Sequence, residues 1–228
     1  MDWRRVALVL TLVAGPSAAE AHDGFFEVTV TNLTRAQSFT PILAVSHDSE
    51  SRLVTVGEPA SEGLALLAEG GATGTLEAEI RADGDVRDAV TSDGLLGPGE
   101  SVTLRIEAGG RHDHVSVAAM LIPTNDTFMA AAGVRIPAGR RARSVTVWVP
   151  AYDAGTEEND QRCASMPGPR CGGEGVSAEP GDGDEGFVHV SRGFHDLGTA
   201  DADGGEILGP ATYDWRNPVA KVTIRRTR

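Results

Sequence analysis

The chain is 228 residues long, 40% hydrophobic and 23% charged, with a formal net charge of −13 at pH 7. A surface this acidic argues against nucleic acid and anionic membranes as partners and suits a soluble exported protein that holds cations. No stretch reaches the roughly twenty consecutive apolar residues of a membrane span, so no integral membrane segment is expected.

In chain order, Arg4 and Arg5 precede an apolar run at 6–14 that breaks at Gly15-Pro16, and Ala19-Glu-Ala21 has the small-x-small form of a cleavage site. This predicts a secretory signal peptide over 1–21 and a secreted or periplasmic protein. The remaining 22–228, 228 − 21 = 207 residues, suffices for one domain with its own core. Cleavage leaves His22 first, and an N-terminal amine with an imidazole chelates Cu²⁺. A copper-binding or polysaccharide-oxidising protein is therefore the alternative function, with His47, His112, His114, His189 or His195 as second ligand. His112-x-His114 would lie on one face of a strand.

Strand-like runs follow. Residues 25–31, 101–107, 144–149 and 220–226 alternate apolar with polar and are rich in β-branched side chains. Residues 114–122 are longer and more apolar, as a central strand buried on both faces would be. Ser61 caps a predicted helix over 61–69 that stops at Gly70-Gly71, and a second short helix is predicted over 83–90. Both are expected to cover one end of the fold. Residues 172–186 hold almost no apolar side chain and read as a flexible acidic loop. The pattern predicts an all-β fold, an antiparallel β-sandwich with one or two short helices.

Two acidic loop ends, Met120-Leu-Ile-Pro-Thr-Asn-Asp126 and Ala151-Tyr-Asp-Ala-Gly-Thr-Glu-Glu-Asn-Asp160, each follow a strand-like run. Together they read as halves of one oxygen-ligand metal site with Asp126, Asp153 and Glu157 as ligands, because Ca²⁺ takes six to eight oxygen donors. Gly155 would turn the loop so that backbone oxygens point inward, and Thr156 would add or orient one more oxygen. The same residue types also serve ordinary turns.

Cys163 and Cys171, the only cysteines, flank a Pro/Gly-containing loop and are expected to form a disulfide in an oxidising compartment. Trp148 lies within an alternating strand and, with Trp215, is expected in the core rather than on a sugar platform. The basic C-terminus (Arg216, Arg225, Arg226, Arg228) is expected to pair with surface carboxylates. No Gly-x-Ser-x-Gly elbow or paired-histidine zinc helix is present, and the expectation is a non-enzyme.

The ordered segments Val30-Thr-Asn-Leu-Thr34, Ser38-Phe-Thr-Pro41, Gly57-Glu-Pro-Ala-Ser-Glu-Gly-Leu64, the two acidic loop ends and Tyr213-Asp-Trp-Arg-Asn-Pro-Val-Ala220 resemble the spondin N-terminal domain family in its secreted, single-domain bacterial form. The resemblance implies an antiparallel sandwich with one structural Ca²⁺ held by Asp126, Asp153 and Glu157. It further implies an adhesive role towards an extracellular or envelope protein or glycan, and no catalysis. Animal members carry an aromatic directly after the first aspartate. Here Thr127-Phe128 stands instead, which makes Asn125 an alternative oxygen donor.

Overall fold

The computed structural model describes residues 23–138, 143–173, 175–176 and 181–227. The signal peptide expected at 1–21 and His22 lie outside the described residues, as do 174 and 177–180 of the expected acidic loop. Strands β1 (Gly24–Asn32), β5 (Ser101–Ala108), β8 (Ser144–Val149) and β11 (Ala220–Arg226) form a four-stranded antiparallel sheet in the order β5-β1-β11-β8. A seven-stranded sheet runs β10 (His189–Val190), β9 (Ala151–Asp153), β7 (Thr127–Arg135), β6 (His114–Ile122), β3 (Leu43–His47) and β4 (Val86–Thr91), with β2 (Ser38–Phe39) also paired to β6.

The smaller sheet follows from period-two alternation. Phe26, Val28 and Val30 of β1, Leu104 and Ile106 of β5, and Val222 and Ile224 of β11 point inward and meet Val117, Ala119 and Leu121 of β6. Strand β6 is central and buried along nearly its whole length, as its apolar run predicted. Its other face feeds a second core. There Leu43, Val45, Ala118, Phe128 and Ala130 pack against Leu64 and Leu67 of α1 (Glu62–Gly70) and Leu76 and Ile80 of α2 (Gly74–Asp83). Each buried leucine, isoleucine, valine or phenylalanine there contributes about 1.5–3 kcal/mol. The result is a sandwich with helices layered on one sheet.

The expected cap is present: Ser61 Oγ accepts from the Leu64 amide at 3.2 Å, and the chain leaves α1 through Gly71 at φ 73°. Gly63 lets α2 approach closely, since a Cβ there would lie 2.5 Å from Leu76 Cα. Two expectations about the helices need correction. Residues 83–90 are not a second helix: α2 ends at Asp83, and β4 begins at Val86 and pairs antiparallel with β3. The two helices also cover a face of the larger sheet, not an end, because α1 and α2 supply the apolar layer that face requires.

Outward residues of the smaller sheet form cross-strand rungs. One runs Thr103–Thr29–Thr223–Thr146, and the next runs Ser101–Thr31–Lys221–Trp148. Hydroxyls bridge within them, Thr29 to Thr103 at 2.8 Å, Thr31 to Ser101 at 2.8 Å and Thr146 to Thr223 at 3.0 Å. Trp148 therefore is not core: it stands 62% exposed on this outer face, because its neighbours Val147 and Val149 take the inward positions of β8. Trp215 is buried, edge-on to Phe194. At the C-terminus Arg225 pairs with Glu27 across the strands and Arg216 with Asp214, as expected for a basic end on an acidic body.

Cys163 and Cys171 are bonded, with Cα atoms 4.9 Å apart. Closing so short a loop stabilises by about 2–3 kcal/mol in the chain-entropy treatment. Replacing both cysteines by serine is expected to lower the unfolding free energy in water by about that amount, with a somewhat steeper urea slope because the uncrosslinked denatured chain exposes more surface; an unchanged free energy would show the crosslink energetically idle.

Candidate metal centre at the sandwich rim

Two neighbouring strands of the larger sheet carry the site. Asp126 is the last residue of the loop that joins β6 to β7, and Asp153 ends β9. Thr127 and Asp153 are register partners, and the Ala154 amide donates to the Asp126 carbonyl at 3.2 Å. The pairing brings the two aspartates side by side. Both are buried, Asp126 at 0% and Asp153 at 1% exposure.

The loop after β9 wraps Asp126. The amides of Thr156 and Glu157 donate to its Oδ2 at 2.8 and 3.2 Å, and Thr156 Oγ1 approaches the same oxygen at 3.4 Å. Its Oδ1 is buried with no hydrogen-bond partner among the described residues. Burial, followed by the charge of Asp153, holds the Asp126 carboxyl well above the usual carboxylate range; the amides of Thr156 and Glu157 pull the other way, and the Glu157 charge adds to the rise. Asp153 is raised too, mainly by burial. Its hydrogen bond from Asn159, the charge of His189 and the Gly155 amide oppose that rise. Two carboxyls with raised pKa in one buried place make this rim the candidate site.

Thr156 orients an existing ligand candidate. Gly155 adopts φ 68° as the turn required, but its carbonyl accepts from the Gly186 amide at 2.8 Å instead of pointing inward free. Asn125 is bonded within the protein. Its Nδ2 donates to Asp160 Oδ1 at 3.0 Å and its Oδ1 accepts from the Gln161 amide at 3.3 Å, which ties the first loop to the segment entering the disulfide.

Sequence reasoning missed Glu185. It lies in the segment read as a loose acidic loop, yet the described end of that segment is bonded in place: the Gly186 amide meets Gly155, and Glu185 Oε1 accepts from Asn159 Nδ2 at 3.2 Å. Asn159 Nδ2 also reaches Asp153 Oδ2 at 3.0 Å. Glu185 thereby joins Asp153 and His189, whose potential ligand atoms lie within 4.8 Å of one another. His189 Nε2 is 3.4 Å from Asp153 Oδ1 and 4.0 Å from Glu185 Oε1. The strand pairing His189↔Asp153 was the signal, and it becomes visible only once β10 is placed.

Three of the other histidines weighed as copper ligands, His47, His112 and His114, are engaged elsewhere. His47 contacts Ser116 Oγ at 2.8 Å and the Asp48 carbonyl at 2.6 Å. His112 and His114 do not share a strand face: His112 lies before β6 and contacts Asp85 at 2.7 Å, while His114 contacts Asp113 at 2.8 Å.

Fold and rim together define an antiparallel β-sandwich module with a buried carboxylate pair at two strand ends. The spondin N-terminal domain family (Spondin_N) matches residues 30–165, and the chain belongs to that extracellular domain family. A search of curated proteins returns no match. Among the described residues no helix is long and apolar enough to cross a membrane.

Proposed function

We propose that this protein is a non-catalytic extracellular binding module that holds one structural Ca²⁺ through Asp126, Asp153 and Glu157, and that the rim so ordered serves adhesion to an extracellular or envelope protein or glycan. One observation carries the reading: Asp126 is fully buried beside a second buried aspartate, and its Oδ1 lacks a hydrogen-bond donor. An ionised carboxylate in that position is costly. A hard cation with a preference for oxygen donors supplies the missing partner and cancels the repulsion. The amides of residues 155–157 and the side chains of Thr156 and Asn159 hold the carboxylates in place. The ion would thus meet Asp126 and Asp153 already oriented, with Glu157 completing the set on binding.

Chelator is expected to lower the melting temperature and calcium to restore it. Asp153→Ala should abolish the response, whereas Asp182→Ala, on the segment leading to Glu185, should retain it. No response in the wild type, or the same response in both variants, refutes the assignment.

A second reading is favoured by the Asp153, Glu185 and His189 cluster. An imidazole among carboxylates suits a borderline ion such as Zn²⁺ better than Ca²⁺. Both sets use Asp153, so the readings compete. His189→Gln leaves the calcium response intact under the first reading and removes a zinc response under the second.

A further inference from the structure

The outer face of the four-stranded sheet is remote in kind from the carboxylate rim. Its outward positions carry threonine and serine hydroxyls, charged groups and two aromatics, with no aliphatic side chain among β1, β5, β8 and β11. Trp148 stands 62% exposed on β8, the edge strand of the sheet, so neither its indole face nor the strand's outer side is covered by another strand. Directly across from it is Lys221, the only lysine of the sequence. Cross-strand partners on one face have Cβ atoms about 5 Å apart.

The charges on this face do not cancel. Glu27 is taken by Arg225, and Glu107 by Arg87 at 2.5 Å. Lys221 and Arg105 form no ion pair among the described residues; Arg105 lies over the Phe25 ring at 3.8 Å. On a protein of net charge −13, Lys221 stands beside Trp148 without a carboxylate partner among the described residues, while Arg105 faces Glu27 two rungs away. At physiological ionic strength the screening length is about 8 Å, so a ligand at Trp148 responds to Lys221 more than to the carboxylates of Glu27 and Glu107, which lie at least two rungs away.

We propose that this face binds an acidic polysaccharide, a uronate-containing chain whose sugar ring stacks on Trp148 while Lys221 takes the carboxylate. An indole offers a flat apolar surface to the C–H face of a pyranose, and tryptophan commonly dominates the affinity of an exposed patch. The hydroxyls of Thr31 and Ser101 continue the same rung and match the donor and acceptor groups of a glycan. Because β8 is an edge, a long chain can run past it. The face shares no residue with the rim and is independent of the calcium reading.

The test is titration of the purified protein with hyaluronan oligosaccharide and with its uncharged methyl ester, read by calorimetry and tryptophan fluorescence. Binding of the acid, tighter than the ester, is expected. Trp148→Ala should weaken it by about tenfold or more with the melting temperature unchanged. Lys221→Gln should erase the preference for the acid while leaving residual binding to both. No binding of the acid, equal binding of acid and ester, or wild-type affinity in Trp148→Ala overturns the proposal.

Discussion

Asp126→Asn is expected to stabilise the calcium-free protein at neutral pH and to destabilise the calcium-loaded one relative to wild type. The substitution removes a buried negative charge beside Asp153 while its amide oxygen still accepts from Thr156 and Glu157. In calcium the wild type gains RT ln(1 + [L]/Kd), about 2.7 kcal/mol at a hundredfold excess over Kd, and the variant gains nothing. For a domain of this size that corresponds to about 5–10 °C in Tm. The pH dependence has a definite sign. The folded pKa of Asp126 is raised above its unfolded value, so the folded state binds more protons between the two. In chelator, the Asp126 contribution to stability is therefore fully present below the usual carboxylate range and is lost as pH rises towards the folded pKa. Calcium reverses this slope because it requires the ionised carboxylate. Scans across that window, with and without calcium, read both effects; a variant less stable than wild type in chelator would contradict the account.

Gly155→Ala should be the most damaging small substitution near the rim. The residue sits at φ 68°, and an added Cβ would lie 2.5 Å from the Phe187 carbonyl oxygen and 2.8 Å from its amide nitrogen. Those are backbone atoms with no room to yield. Left-handed backbone alone costs about 1–2 kcal/mol for a residue with a Cβ. The collision adds to this and pushes apart the two segments that carry Asp153 and Glu185, so a loss of about 3 kcal/mol, together with weaker calcium binding, is expected. Gly94→Ala, at φ 62° with open space around it, isolates the backbone part. Equal urea midpoints for the two variants would show that the contact with Phe187 does not matter.

The readable part of the fold was the smaller sheet. Its strands are buried on one face only, so Phe26, Val28 and Val30 alternate with polar neighbours and the period shows. The first five residues of β7 are buried on both faces and the strand is rich in alanine, which leaves no alternation to find. Helix α2 is hard to read because only Leu76 and Ile80 anchor it, and a helix over 83–90 runs against Gly84, which closes α2 before β4 begins. Asp126 and Asp153 were legible as carboxylates at strand ends. Glu185 was not, since the composition of its segment is that of a solvated loop and the contacts of Gly186 with Gly155 and of Glu185 with Asn159 draw it in. Trp148 was misplaced by treating an alternating strand as if both of its faces were inside.

Strands β1 and β11 lie side by side in the middle of the smaller sheet, with Phe26 opposite Arg226 and Asn32 opposite Ala220. Residues 24 and 227 consequently emerge at the same point of the surface, where the Thr227 amide still bonds the Phe25 carbonyl at 3.0 Å. Tension applied between those two positions would peel the pair open one rung after another, rather than load all its bonds in shear. A pull applied across the module from the metal rim to either position meets a different geometry, and resistance to traction would depend on which attachment carries the load.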